Sequence, residues 1–453
     1  MMVAERKVGD SMAKRALVLA GGGSRGAYQI GVWKALRELG IDFDIVTGSS
    51  VGALNGALMV QGDFDAAMQL WENITTQDVM TDILTEDDLS SMKEADIWRN
   101  FVHDVLEQGG CDITPLENKI RSLLDEKRFR DSAIDYALVT VEYPSLKPLE
   151  LSKSQIPEGQ VCDYLLASSA CFPAFKIKEI NGSKYIDGGY HDNLPMNLAL
   201  KLGAEEIIAV DLQSMGIIRK PKIDEDKLTV IRSHWNLGPF ILFDKSYARR
   251  NIALGYLDTM KVFGRLYGWK FAFTPSDSKR NAQQLLTILI TTLTEARMNN
   301  LRFVNTLESS LYRSILKEFE NLDIPEKQVT VGQIFLLMAE HAGEIFCVDP
   351  TEIQTFDRFN RTVLREFHEV RREADLSLQG WSSIPKIIEE LKEHDRMYIC
   401  AYLYEQLQLL FRKDSAPKNL LLFVSAFPEE LQAALYLTIL ERQNQPYQWP
   451  DLF

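Results

Sequence analysis

Basic residues are in deficit: 50 Lys and Arg stand against 64 Asp and Glu, for a net charge of -14. A nucleic-acid binder carries a basic stripe or domain, so that class is disfavoured. The same charge argues against constitutive adsorption to an anionic membrane, although a local patch can still dock on lipid. Cysteine is scarce. Cys111, Cys162, Cys171, Cys347 and Cys400 are odd in number, widely spaced and form no C-x-x-C. That pattern excludes a disulfide framework and a zinc site, fits a reducing compartment, and predicts five small buried or half-buried side chains. No apolar run reaches the ~18 residues needed to span a bilayer. The first 15 residues are polar and lack the apolar stretch of a secretory signal. The expectation is a cytoplasmic chain with a leader over 1–15. Histidine is also sparse, with six residues in all.

What is present is the composition of a globular protein: 453 residues, 46% hydrophobic and 25% charged. The length calls for more than one core. Ala16–Ala20 is a continuous apolar run, as in a parallel strand buried on both faces. A glycine-rich turn follows, then a helix with Tyr28, Val32, Ala35, Leu36 and Leu39 at helical spacing, stopped by Gly40. Phe43–Thr47 reads as a second strand, leading into a helix rich in small residues. Further strands are predicted at Tyr136–Val141, Ile207–Asp211 and Leu228–Arg232, with a hairpin of Lys176–Ile180 and Lys184–Ile186 across Asn181-Gly182-Ser183. Strand–helix alternation predicts an α/β fold, a mostly parallel sheet with helices on both faces. A helical insertion at 63–130 reads equally as a lid over a site or as a peripheral layer. Tyr247–Gly264 reads as a helix. Beyond 280, Leu285, Ile288, Leu289, Thr292, Leu293 and Ala296 follow one helix face, and similar segments continue, which predicts a separate all-helical C-terminal domain. The expected organisation is therefore 1–15 leader, 16–235 α/β domain, 236–280 connecting helix and linker, and 281–453 helical domain.

Three short blocks carry chemistry. Gly48-Ser-Ser-Val-Gly52 matches G-x-S-x-G, with Ser50 at the centre of a strand-to-helix turn. Gly48 and Gly52 permit the sharp turn sterically, and the helix N-terminus favours developing negative charge. Gly21-Gly22-Gly23-Ser24-Arg25-Gly26 lies between the first strand and the first helix. It satisfies both an oxyanion loop and the dinucleotide pattern G-x-G-x-x-G. The nucleotide reading wants an acid at the end of the next strand. Here that strand ends in Thr-Gly-Ser-Ser, so an oxyanion hole is the better assignment. Asp187-Gly188-Gly189 ends the hairpin. Such a triplet alone is an ordinary turn, but Ser50 needs a base. His191 is poorly spaced to relay between Asp187 and Ser50, and His234 has less in its favour. A carboxylate within hydrogen-bond reach of a serine Oγ can itself serve as general base.

Together and in this order, GGGSRG, GSSVG and DGG resemble the patatin-like phospholipase family. Ala167–Pro173 and Asp187–Pro195 resemble the family's segments around its acid site. The resemblance covers roughly 16–235. It implies a patatin-like three-layer α/β/α domain in which Ser50 is the nucleophile and Asp187 the base of a dyad without histidine. Within the Gly21–Gly26 loop, amides around Gly22, Gly23 and Ser24 would form the oxyanion hole, and Arg25 either meets charge on a substrate head group or makes a structural salt bridge. The implied substrates are fatty-acyl esters of lipids, hydrolysed without a metal or other cofactor. Transient contact with a membrane or micelle surface is implied, and nucleic acid is not. Two alternatives stand beside hydrolysis: acyl transfer on the same dyad, and a non-catalytic lipid-binding or scaffold protein.

Overall fold

The computed structural model describes residues 13–81, 110–275, 278–322, 324–373, 384–411 and 420–444. The chain divides into two compact units, Met1–Gly264 and Arg265–Phe453.

The first unit is built on a mixed, mostly parallel sheet. Its strands are β1 (Arg15–Leu19), β2 (Ile45–Ser49), β3 (Asp135–Tyr143), β4 (Pro148–Ser152), β5 (Lys178–Ile180), β6 (Ser183–Asp187), β7 (Glu206–Asp211) and β8 (Leu228–Arg232), in the order β5-β6-β3-β2-β1-β7-β8, with β4 also on β3. Strands β3, β2, β1, β7 and β8 run parallel. Ala16 to Leu19 are fully buried, as a central parallel strand covered on both faces requires. Strands β4, β5 and β6 are antiparallel additions. The β5–β6 hairpin turns at Asn181 and Gly182, which have φ of 50° and 81°, the left-handed pair that a tight hairpin demands. Two details depart from the sequence reading. β2 begins at Ile45 rather than Phe43, because its pairing with β1 starts at Ala16–Ile45 and carries on to Leu19–Gly48. β4 was not anticipated; its residues are half-exposed and its strand character comes from pairing with β3.

Helices α1 (Ala27–Glu38), α2 (Val51–Gln61), α3 (Phe64–Asn73), α4 (Thr114–Leu123), α5 (Glu126–Asp131), α6 (Val161–Ser168), α7 (Met196–Lys201) and α8 (Lys245–Val262) cover the sheet. The helix expected in the connector, α8, belongs to this first unit and packs along α1. A Cβ on Gly31 of α1 would lie 1.9 Å from the Ile252 carbonyl oxygen, so the two backbones touch. Tyr28 Oη donates to Asp258 at 2.8 Å, and Lys261 pairs with the same carboxylate. Of the 63–130 insertion, α3, α4 and α5 are helical; the segment 82–109, which holds most of the expected lid, lies outside the described residues.

The second unit is helical, as the vanishing of strand signals predicts: α9 (Ser278–Asn321), α10 (Val331–Ile345), α11 (Phe356–Glu373), α12 (Ile384–Leu391), α13 (Arg396–Phe411), α14 (Leu420–Ala426) and α15 (Pro428–Asn444). One two-residue pair, β9 (Ala272–Phe273) with β10 (Ile353–Gln354), departs from all-helical. It sets Phe273 against Phe356 and Phe359 in an aromatic cluster. Among the described residues, no helix is long and apolar enough to cross a membrane. The five cysteines are free. Cys347 is exposed, against the expectation that all five would be at least half-buried, because it sits at the end of α10 with φ of 52°.

Candidate active site

Sheet register brings the serine and the acid together. β2 pairs with β3 up to Ser49 opposite Val139, and β6 pairs with β3 from Asp187 opposite Thr140. The two strand ends therefore meet at adjacent residues of β3. Ser50 follows Ser49 directly, and it lines the same cavity as Asp187.

The local chain around Ser50 is the strained turn that the motif requires. Ser50 has φ 53° and ψ -130°, a conformation that costs energy in any residue with a side chain and persists only when its surroundings impose it. A Cβ on Gly48 would lie 2.4 Å from Gly52 carbon and oxygen, and one on Gly52 would lie 2.3 Å from the Leu19 carbonyl oxygen. Both glycines are present because the backbones of β1, β2 and α2 converge here. The Ser50 amide donates to Ser168 Oγ at 3.0 Å, and that hydroxyl donates to Val139 O at 2.7 Å. Ser168 thus ties the elbow to β3. Sequence reasoning placed it in a resembling segment without giving it this task.

The glycine loop is similarly held. Gly23 has φ 55°, and a Cβ there would lie 2.0 Å from the Phe240 carbonyl oxygen. The Gly21 amide donates to Asn193 O, and the Ser24 amide to Phe240 O. The Arg25 amide donates to Gly22 O within the turn. Among the described residues, the Gly22 and Gly23 amides have no protein acceptor, and both residues line the cavity at Ser50. The oxyanion candidates Gly21–Gly26 thus narrow to Gly22 and Gly23, because the neighbouring amides are already committed. Asn193, three residues before the first turn of α7, donates through Nδ2 to Gly21 O at 3.2 Å and to Ser214 Oγ at 3.2 Å. A further chain braces the loop from below: Gln29 Nε2 donates to Ala20 O, Asn55 Nδ2 to Gly26 O and to Gln29 Oε1, and Trp71 Nε1 to Asn55 Oδ1.

Asp187 is buried, and burial pushes its carboxyl from the usual range up to about 6. The hydrogen bond from the Gly189 amide at 2.7 Å and the neighbouring Ser50 hydroxyl oppose that rise without cancelling it. The effect is a stronger base than an ordinary carboxylate, yet one still ionised at neutral pH. Cys171 lines the same cavity, but burial and the Asp187 charge push its thiol up to about 12, so it is no rival nucleophile.

Two cavities meet at Ser50. One runs along α2 and is almost wholly apolar, walled by Leu58, Trp71, Ile120, Leu123 and Phe243. The other opens over Asp187 and is edged by Tyr190, Asn193, Ser214 and Phe240.

Arg25 does not face either cavity. Its Nε donates to Gly238 O at 2.8 Å and its Nη1 to Gln213 O at 3.0 Å, so it clamps two loops together from a buried position. The head-group role is therefore withdrawn, and two loop carbonyls are among the partners that hold the guanidinium. Arg25→Ala leaves the buried Gly238 carbonyl without this donor and is expected to lower stability by about 2–3 kcal/mol. Thermal melts of the purified chain check this, and an unchanged melt would sink the clamp. His191 Nδ1 meets Arg219 at 3.2 Å, and His191 is not among the residues lining the Ser50 cavities. His234 is likewise absent from those linings. In the helical unit, His341, Glu344 and Glu429 place ligand atoms within 4.8 Å of one another. Arg396 pairs with both of those glutamates and with Glu430, while Lys270 takes the other oxygen of Glu344, so side-chain cations already fill that cluster.

The match to known proteins falls on the same residues. The family model Patatin-like phospholipase covers residues 17–200. A patatin-like phospholipase domain-containing protein of Caenorhabditis elegans is 29% identical over 204 residues, 44% of this chain and 14% of the relative. The human patatin-like phospholipase domain-containing protein 6 is 30% identical over 213 residues, 44% of this chain and 13% of the relative. A lysophospholipase NTE1 of Chaetomium globosum is 31% identical over 272 residues, 58% and 16% respectively. The chain thus spans only a small part of the length of the curated relatives it matches. The crystal structure of VipD from Legionella pneumophila aligns over 96% of this chain and 92% of its own at 13% identity and TM-score 0.37, too loose a likeness to carry an argument. The glycine loop, the serine elbow and the acid turn all fall within residues 17–200, the span over which this chain matches the patatin-like phospholipase model.

Proposed function

We propose that the chain is a lipid acyl hydrolase working through a Ser50–Asp187 dyad and an acyl-enzyme. The observation that carries this reading is that Ser50 and a buried Asp187 line one cavity together with Gly22 and Gly23, whose amides have no acceptor among the described residues. Ser50 Oγ attacks the ester carbonyl while Asp187 takes its proton. The tetrahedral oxyanion is held by the Gly22 and Gly23 amides and the N-terminus of α2. Collapse expels the alcohol, which leaves with the proton from Asp187. Water then gives a proton to Asp187 and attacks the acyl carbon, and the fatty acid is released as Ser50 recovers its hydrogen. The apolar cavity along α2 suits the acyl chain, and the wider cavity over Asp187 suits the leaving alcohol. The names of the relatives, patatin-like phospholipase and lysophospholipase, support a phospholipid or lysophospholipid ester as substrate.

A fluorophosphonate probe is expected to label the wild-type chain and to leave Ser50→Ala unlabelled. A panel of phospholipids, lysophospholipids and neutral glycerides, read by fatty-acid release, identifies the ester. Labelling that persists in Ser50→Ala would place the nucleophile elsewhere.

A further inference from the structure

One surface feature beside the cavity is unexplained by the chemistry above. The chain leaving β7 runs Gln213-Ser-Met-Gly-Ile-Ile-Arg-Lys-Pro-Lys222. Met215, Ile217 and Ile218 are 63%, 50% and 45% exposed, and Tyr190, on the neighbouring acid turn, is 46% exposed. Single exposed apolar side chains are normal, but a cluster at the mouth of a cavity marks a contact surface. Met215 and Gly216 line the cavity over Asp187, so this cluster forms its rim.

The rim is pinned in place. The Ile217 amide donates to Gly189 O at 3.0 Å, and Ile217 O accepts from the Asn193 amide at 2.6 Å. Arg219 Nε donates to His191 O at 3.0 Å. These bonds fix the backbone to the acid turn and leave the two isoleucine side chains outward. Charge changes sign here as well. In a chain of net charge -14, exposed Arg219, Lys220 and Lys222 follow the apolar cluster directly. The acids Asp224, Glu225 and Asp226 come next, but β7 and β8 are parallel, with Ile207 opposite Leu228. The connection must therefore return to the far edge of the sheet, which carries those acids roughly 13 Å along the strand direction from the cavity mouth.

We propose that Met215–Lys222 is a membrane-docking rim, whose apolar side chains enter the surface of a bilayer while Lys220 and Lys222 meet anionic head groups. Apolar tips followed by basic residues fit a charged lipid surface, where each lysine near the surface adds attraction. The docking seats the cavity mouth against the lipid phase, and its purpose rests on the acyl-hydrolase reading.

The test uses the full chain with vesicles of phosphatidylcholine, with and without a minor share of phosphatidylglycerol, read by co-sedimentation. Hydrolysis of a monomeric p-nitrophenyl ester is measured alongside. The wild type is expected to sediment preferentially with the anionic vesicles. Ile217→Ser with Ile218→Ser is expected to weaken that binding about tenfold. Lys220→Gln and Lys222→Gln should each weaken it about fivefold, and the two together should remove most of the preference for anionic lipid. Turnover of the monomeric ester should be unchanged in all of them. A wild type that sediments with neither vesicle overturns the proposal, as does a double serine variant that binds like the wild type. A double serine variant that also loses monomeric-ester turnover overturns it too, since the rim would then belong to the catalytic frame. If the wild type binds vesicles through these residues but hydrolyses no ester, the hydrolase reading fails while the docking surface stands.

Discussion

Asp187→Asn is expected to cut kcat/KM on carboxylic esters by about 10³–10⁴-fold while making the chain more stable at neutral pH. The two effects have one cause. Burial raises the Asp187 carboxyl from 3.8 to about 6. The folded chain therefore holds this proton more tightly than the unfolded chain. That preference contributes stability below about pH 4, and the contribution is lost as pH rises through about 6. Above that, the ionised carboxylate sits in a site that disfavours its charge, at a cost of up to about 3 kcal/mol. Asparagine removes the charge and keeps an oxygen for the Gly189 amide. It cannot accept the Ser50 proton. Asp192 is also raised to about 6 by burial, so the whole-chain stability profile bends in the same region. The diagnostic is the difference between wild type and variant, which should be small at pH 4 and favour the variant by several degrees at pH 8. The wild-type rate should rise with pH to a plateau above about 6. An Asn variant that keeps a tenth or more of the activity would remove Asp187 from the base role. A variant destabilised equally at both pH values would refute the strain.

Gly52→Ala is expected to be a severely damaging single-methyl addition, costing about 4 kcal/mol or more and leaving little folded chain. The added Cβ would sit 2.3 Å from Leu19 O and 2.7 Å from Ala20 O. Neither carbonyl can retreat easily. Leu19 is paired on both sides, to Gly48 in β2 and to Val210 in β7, and Ala20 donates its amide to Val210 O. The alternative is for α2 to shift, which would move Ser50 out of reach of Asp187. Gly62→Ala is the matched control. Gly62 has φ 79° but nothing within 4 Å of a new Cβ, so only the left-handed backbone penalty of about 1 kcal/mol applies. Thermal melts and ester turnover of both variants decide the point. A Gly52→Ala chain that melts and turns over like the control would show that the elbow is not packed this tightly.

Much of the first unit was legible from local pattern. Apolar runs at β1, β3 and β7 read as strands because a parallel strand is buried on both faces and needs no alternation. The Asn181-Gly182 pair announced a hairpin because only a few residues tolerate left-handed dihedrals. The start of β2 and the existence of β4 were not legible, since pairing partners far along the chain set both. α8 read as a connector because nothing in its own residues announces the contact of Gly31 with Ile252.

The candidate site divides in the same way. The sequence by itself determined the chemical groups: a serine between spaced glycines, a glycine loop before a helix, and an acid before a glycine pair. These are local steric and electrostatic requirements, written in neighbouring residues. The tertiary structure alone decided which groups meet and which are free. Strand register on β3 sets Asp187 beside Ser50. Distant carbonyls accept from the Gly21 and Ser24 amides, while among the described residues those of Gly22 and Gly23 have no acceptor. Arg25 was turned from substrate to scaffold by the carbonyls of Gly238 and Gln213. Burial depth, which shifts Asp187 upward, is a property of everything packed around it and has no local signature.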